Sequence, residues 1–287
     1  ASTQIAGFTP TAVAALTSTQ VAALSTTAMR GLTSAQVSAF TTTQLSAMGL
    51  TRIAALSATG VAGLTTTDLA TFTTTQLESA VLPATWLAAL TTTQLAALTT
   101  SQMAHLSTTM VSGLTAEQAA ALTSTSFLAL TSTQIGALNS AAINGLTTTS
   151  IEQMTTTQFA GMKYYQISAL SGSGLGALTA TDIAAMSDSQ LSGLTRPQMR
   201  LLTTTQIAAL STFQIWALSS EQASSFTATS LNAFTSTQFS ALSSDQIGLM
   251  TAQQLSGLNG TRIASLTPYQ LSEISSTQIK GLTTTAI

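Results

Sequence analysis

At 287 residues the chain is long enough for one or two ordinary domains, but only 6% of it is charged, against about a quarter in an average domain. Net charge is -2, with seven Lys plus Arg scattered along the chain, so no basic stripe exists for phosphate contacts and nucleic acid is not an expected partner. Cys is absent, which removes disulfide frameworks and thiolate metal sites, and no apolar run approaches the roughly 18 residues of a membrane span.

In chain order the sequence is one octapeptide repeated, of the form Thr-Thr-Thr-Gln-apolar-Ala-Ala-Leu. Ten octads run over 1–80, Val81 and Leu82 interrupt, 25 octads run over 83–282, and five residues of another follow. Such self-similarity defines a repeat architecture. The expected organisation is a single octapeptide-repeat solenoid over 1–287, with the insertion at 81–82 as a register adjustment and not a domain boundary. Every residue belongs to the array, so no separate stretch remains for a catalytic domain, and no enzyme is expected.

The seats run from 1 to 8, as in Thr17-Ser18-Thr19-Gln20-Val21-Ala22-Ala23-Leu24. Seat 5 is large and apolar except at Ala119 and Ala223, and seat 8 fails only at Ala80, where Leu82 can replace it. Those two seats are the expected core. Seat 1 is Ser or Thr in 29 of 35 octads and seat 4 is Gln in 21, which writes a helix start signal ahead of each apolar residue. In that signal a seat 1 hydroxyl accepts the seat 4 N–H while the Gln reaches back to the seat 1 N–H. Seats 8 and 5 then form the flanking hydrophobic staple.

Seats 2 to 7 are predicted to form a helix of about six residues, at about 1.5 Å rise each. Pro10 and Pro268 in seat 2, Pro197 in seat 3 and Pro83 in seat 1 all fall where a missing N–H is tolerated. Six acids, including Asp68 and Asp182, lie in seats 2 to 4 near the positive end of the helix dipole. Nine of the 17 Gly occupy seat 7, as a helix ending would require. One continuous helix is excluded, because eight residues at 100° each advance the apolar seats by about 80° per octad. The fold class expected is therefore all-α, a solenoid of very short capped helices, one per octad, with a β-solenoid as the alternative that the Thr and Ile content keeps open.

Helices this short are marginal in water, so neighbouring coils must stabilise them and the stack is quasi-one-dimensional. Two helices per coil at about 10 Å spacing would give a rod of about 180 Å, and three a rod of about 120 Å. The first octad (Ala1–Phe8) and the last residues (Thr283–Ile287) are plain repeats without polar caps. The chain is expected either to stack end to end as a filament protomer or to belong to a longer array.

The inventory for catalysis and metal binding is thin. His105 is the only His and has no Cys or acid beside it; Asp182 and Asp188 lie in adjacent octads without a calcium-loop pattern; Gly172, Gly174 and Gly176 lack the strand and the basic residue of a phosphate cradle. No catalytic, metal or cofactor residue is assigned. The strongest departures from the octad are Lys163-Tyr164-Tyr165, Arg196-Pro197-Arg200, Phe213 and Trp216. Aromatics and Arg are contact-prone, so Tyr164, Tyr165, Arg196, Arg200, Phe213 and Trp216 are candidates for a lateral subunit contact. Trp86, just after the insertion, is expected to plug the local irregularity.

The stretches Leu-Thr-Thr-Thr-Gln-Leu-Ala-Ala-Leu (Leu90 to Leu98) and Leu-Thr-Thr-Thr-Gln-Ile-Ala-Ala-Leu (Leu202 to Leu210) resemble the Thr-rich octad tracts of large repetitive bacterial surface or secreted proteins, often called adhesin-like. That resemblance covers the whole chain and implies an extracellular or cell-surface location and a structural or adhesive role, with no active-site residue to transfer. The function expected is an extracellular structural protein that forms filaments with itself, end to end or laterally, at a bacterial surface or matrix. The alternative is an adhesive module that engages ice, glycan or mineral through its regular Thr rows.

Overall fold

The computed structural model describes residue 5 and residues 7–280. The extreme ends, on which the expectation of uncapped termini in part rests, lie outside the described residues. Each octad becomes one helix: 34 helices of four to six residues follow one another from Pro10–Ala14 to Ser276–Ile279, with no strand among the described residues. This is the all-α solenoid of short helices, and not the β alternative. The helices group into two compact units, Ala1–Gly161 and Met162–Ile287, and the insertion lies inside the first.

The start of each helix follows from seats 1 and 4. In the first unit the Gln134 N–H donates to Thr131 Oγ1 at 3.2 Å while the Thr131 N–H donates to Gln134 Oε1 at 2.7 Å. In the second unit Gln206 and Thr203 repeat the exchange at 3.2 and 3.0 Å. Pro10 and Pro268 are first helical residues, Pro197 is the second of its helix, and Pro83 is itself an N-cap. The chain leaves the helix in extended conformation at seat 8 and stays extended at seat 1. Leu210 has φ -64° and ψ 129°, and Ser211 has φ -72° and ψ 159°. Two extended residues in succession turn the chain into the next helix, and seats 5 and 8 enter the core.

Coils form by two contacts of different reach. Each helix packs on the helix three octads away, as Ser132–Ile135 does on Thr156–Gly161 and Ala180–Ala185 does on Thr204–Ala209. The Gln side chain reaches one octad further. Gln134 Nε2 donates to the carbonyls of Met103 (2.9 Å) and Leu106 (2.7 Å), which are seats 5 and 8 of the octad four before it. Gln206 Nε2 donates likewise to Leu175 and Leu178, at 2.8 and 2.9 Å. Helix packing therefore recurs after three octads while the Gln bond reaches the fourth, so one coil holds between three and four octads, a number that the octad sequence alone leaves open. The physical reason is stagger: a helix rests between two helices of the coil below, packed on one and bonded to the end of the other.

The reading of seat 7 also changes. No described Gly has a positive φ, so these glycines do not close helices in the left-handed conformation. A Cβ placed on Gly113 would overlap the carbonyl oxygen of Ala84, and one on Gly193 would overlap that of Tyr164. In both cases the partner is seat 2 of the octad three before. Gly is there because two backbones meet.

At the insertion the four-octad link persists while its length in residues grows. Gln94 Nε2 reaches Val61 across 33 residues, where the undisturbed spacing is 31. Leu82 is buried in the place of seat 8, and Val81 points to solvent. Gln76, just ahead, bonds only within its own N-cap box, to Thr73. A cavity of about 210 Å³ lined by Leu45, Phe72 and Gln76 opens beside it. Trp86 occupies a Gln seat, is buried, and meets Phe72 edge-on at 5.6 Å, but its indole N–H has no acceptor among the described residues. It fills the local irregularity, as expected, without replacing the hydrogen bonds.

The two kinds of glycine separate by mutation. Gly193→Ala should destabilise the protein by about 1–3 kcal/mol, since backbone must shift to admit the methyl group. Gly176 lies in the helix Gly172–Ala177 with nothing within 4 Å of its would-be Cβ, so Gly176→Ala should stabilise by about 0.5–1 kcal/mol. Urea denaturation followed by far-ultraviolet circular dichroism measures both signs.

Candidate functional site

Seats 2, 3 and 6 lie on the outer side of each helix, so a large residue there has no core to enter. Tyr164 and Tyr165 occupy seats 2 and 3 of one helix, and their rings meet edge-on at 5.6 Å. Phe213 and Trp216 occupy seats 3 and 6 of another, with ring centres 6.1 Å apart. All four are exposed. The helix Asp188–Ser192 packs against both Tyr164–Ala169 and Thr212–Ala217, so the two aromatic pairs stand on alternate helices of one stack. Each ring contact stays within its own helix.

Arg196 and Arg200 lie one turn apart on the helix Arg196–Leu201, on a shared face. They line an open groove of about 460 Å³ together with Ser224, Thr227, Leu249 and Thr251. Arg196 Nε donates to Ser225 Oγ at 3.2 Å, and the buried Ser225 hydroxyl donates in turn to the Glu221 carbonyl at 2.7 Å. Glu221 is exposed, and its carboxyl is held below the usual range by its own backbone N–H and then by the Ser219 hydroxyl, with opposing desolvation ahead of the weakest influence, that of Arg196. Of the six candidate contact residues, then, the two Arg share one groove and the four aromatics form two separate outward pairs.

The other residues weighed from sequence have local partners. His105 Nδ1 lies 2.7 Å from the Ser101 carbonyl one turn before it. Asp182 is buried in a seat 4 role, where its carboxylate accepts the Thr179 N–H at 2.9 Å and the Thr179 hydroxyl at 2.7 Å. Among the described residues no three His, Cys, Asp or Glu gather as a metal site would need, and no helix is long and apolar enough to cross a membrane. Gly172, Gly174 and Gly176 lie in a helix, not in a loop.

Leu249 and Tyr269 were not singled out from sequence, yet both are large and exposed. Leu249 stands in seat 7, where Ala or Gly is the rule, so comparing each seat with its consensus was the signal that could have found it.

The chain is a repeat protein, an all-α solenoid of short helices. Residues 13–50 match the model of the ALTTAQ repeat family and are similar to it in sequence. Comparison with curated proteins gives no match.

The two Trp provide a direct check of the outer and inner seats, being 2% exposed at Trp86 and 62% at Trp216. In Trp216→Phe the remaining emission should be blue-shifted and resist acrylamide. In Trp86→Phe it should be red-shifted and readily quenched.

Proposed function

We propose that this chain is a non-enzymatic structural repeat protein that assembles with copies of itself at a bacterial surface or in its matrix. One observation carries the reading. Where seat 4 is Gln, as at Gln134 and Gln206, a coil offers Nε2 donors to an earlier coil and helix-end carbonyls to a later one, so the stacking surface there has two different faces that match each other. A contact between unlike faces is heterologous, and such contacts propagate as filaments when they do not close into a ring. Low charge favours the same outcome, because self-repulsion between copies is weak. The Thr-rich octads, similar to those of repetitive bacterial surface proteins, support the extracellular setting.

A second reading, an adhesive module, draws on the outer seat 3 hydroxyls. Thr109, Thr133 and Thr157, in seat 3 of helices stacked three octads apart, are all exposed, which gives a row of hydroxyls on the first unit. Ice, glycan and mineral are the repetitive targets such a row would meet.

Negative-stain electron microscopy and light scattering of the purified chain over a rising concentration series test the leading reading. Linear particles that lengthen with concentration are expected. Monomers alone at the highest soluble concentration would contradict self-assembly, and thermal hysteresis or binding of a neutral glycan by those monomers would favour the adhesive module.

A further inference from the structure

We propose that the Arg196–Arg200 groove is a binding site for an acidic polysaccharide, recognised through a carboxylate or sulfate group on its sugars. The proposal is independent of self-assembly, and it uses neither the stacking faces nor the seat 3 hydroxyl rows.

Charge is the first observation. The chain has seven Lys plus Arg in 287 residues, and two of them share this one groove, whose lining contains no acid. Placing like charges four residues apart on a helix is unfavourable by itself, which an anion between them would offset. The second observation is that one guanidinium is already oriented. Arg196 commits its Nε to the buried Ser225 hydroxyl, and among the described residues neither its terminal amino groups nor Arg200 has a hydrogen-bond or ion-pair partner. Guanidinium donors present a planar fork that suits carboxylate and sulfate oxygens. Glu221 accompanies Arg196 from outside the lining and offsets part of its charge.

The remainder of the lining selects a saccharide as the carrier of the anion. Ser224, Thr227 and Thr251 bring hydroxyls, which exchange hydrogen bonds with sugar hydroxyls in either direction. Leu249, 54% exposed in a seat that usually holds Ala or Gly, provides an apolar wall for the C–H face of a sugar ring. The groove is open along the surface, as a polymer segment requires.

Isothermal titration of the full chain, at concentrations where it is monomeric, tests this with four probes of equal length: a uronate hexasaccharide, a sulfated hexasaccharide, a neutral hexasaccharide and a hexaglutamate peptide. Binding of one or both acidic sugars is expected, and which of them binds identifies carboxylate or sulfate as the source. The neutral sugar and the peptide should bind at least tenfold more weakly. The double variant Arg196→Gln with Arg200→Gln should lose at least tenfold in affinity. Arg30→Gln, which removes the same charge from a seat 6 position like that of Arg200, should change it less than twofold. Hydrogen exchange on the unmutated chain should slow around Ser224, Thr227 and Thr251 when the sugar binds, which keeps the test independent of how the variants fold. Equal binding of the neutral sugar, equal or tighter binding of the peptide, equal loss in Arg30→Gln, or no binding of either acidic sugar would overturn the proposal. Failure to form filaments would leave it untouched.

Discussion

The seat 4 carboxamide is the group on which the rest of this structure depends. A helix of four to six residues is almost all ends, since the first four N–H and the last four C=O groups of any helix lack intrahelical partners. One Gln addresses both kinds. Its Oε1 accepts the N-cap N–H of its own helix, and its Nε2 donates to the last carbonyls of a helix four octads earlier. Local capping and coil-to-coil bonding are thus one side chain, buried where water cannot compete. An unpaired buried polar group is unfavourable by about 1–3 kcal/mol, so each amide decides a meaningful share of its coil's stability.

Departures at seat 4 show which part of the amide matters where. Arg52 keeps the donor half, with Nε on the Leu24 carbonyl at 2.7 Å. Asp68 keeps only the acceptor half, with Oδ2 on the Thr65 N–H at 2.8 Å. Where seat 4 is Ala142, the N-cap Asn139 supplies the donor half, its Nδ2 donating to the carbonyls of Ser112 and Leu114, while its Oδ1 accepts the Ala142 N–H as a seat 1 hydroxyl would. Trp86 keeps neither half and substitutes bulk. The exceptions also fall in succession, at Arg52, Gly60 and Asp68 and again at Ala142 and Ser150, and there the buried apolar residues of seats 5 and 8 hold each coil on its neighbours.

The helix itself was legible in the octad, because its signals are local. The N-cap hydroxyl, the returning Gln, the first-turn prolines and the apolar seats 5 and 8 all act within about eight residues. The donor half of the Gln was not legible: its partners lie 28 and 31 residues back, and nothing in an octad says which earlier octad it will face. The number of octads per coil was hidden for the same reason. Gly at seat 7 was noticed but misread, since an ending in the left-handed region and a close approach of two backbones select the same residue. Of the candidate contact residues, the aromatics and Arg196 and Arg200 stood out against the consensus by type. Their pairing follows from spacing along single helices, but that Ser224, Thr227, Leu249 and Thr251 join the two Arg in one groove depends on the stack and could not be read along the chain.

The claim that Gln amides tie coil to coil is tested most directly by the exchange of Gln side-chain amide protons with deuterium, followed by nuclear magnetic resonance on selectively labelled protein. Gln134, with three carbonyl partners, and Gln206, with two, should retain their Nε2 protons on the timescale of buried backbone amides. Gln20 and Gln253 are exposed and should exchange as free glutamine does. Equal, rapid exchange at all four would contradict the link, and would leave apolar packing at seats 5 and 8 to hold the coils together alone.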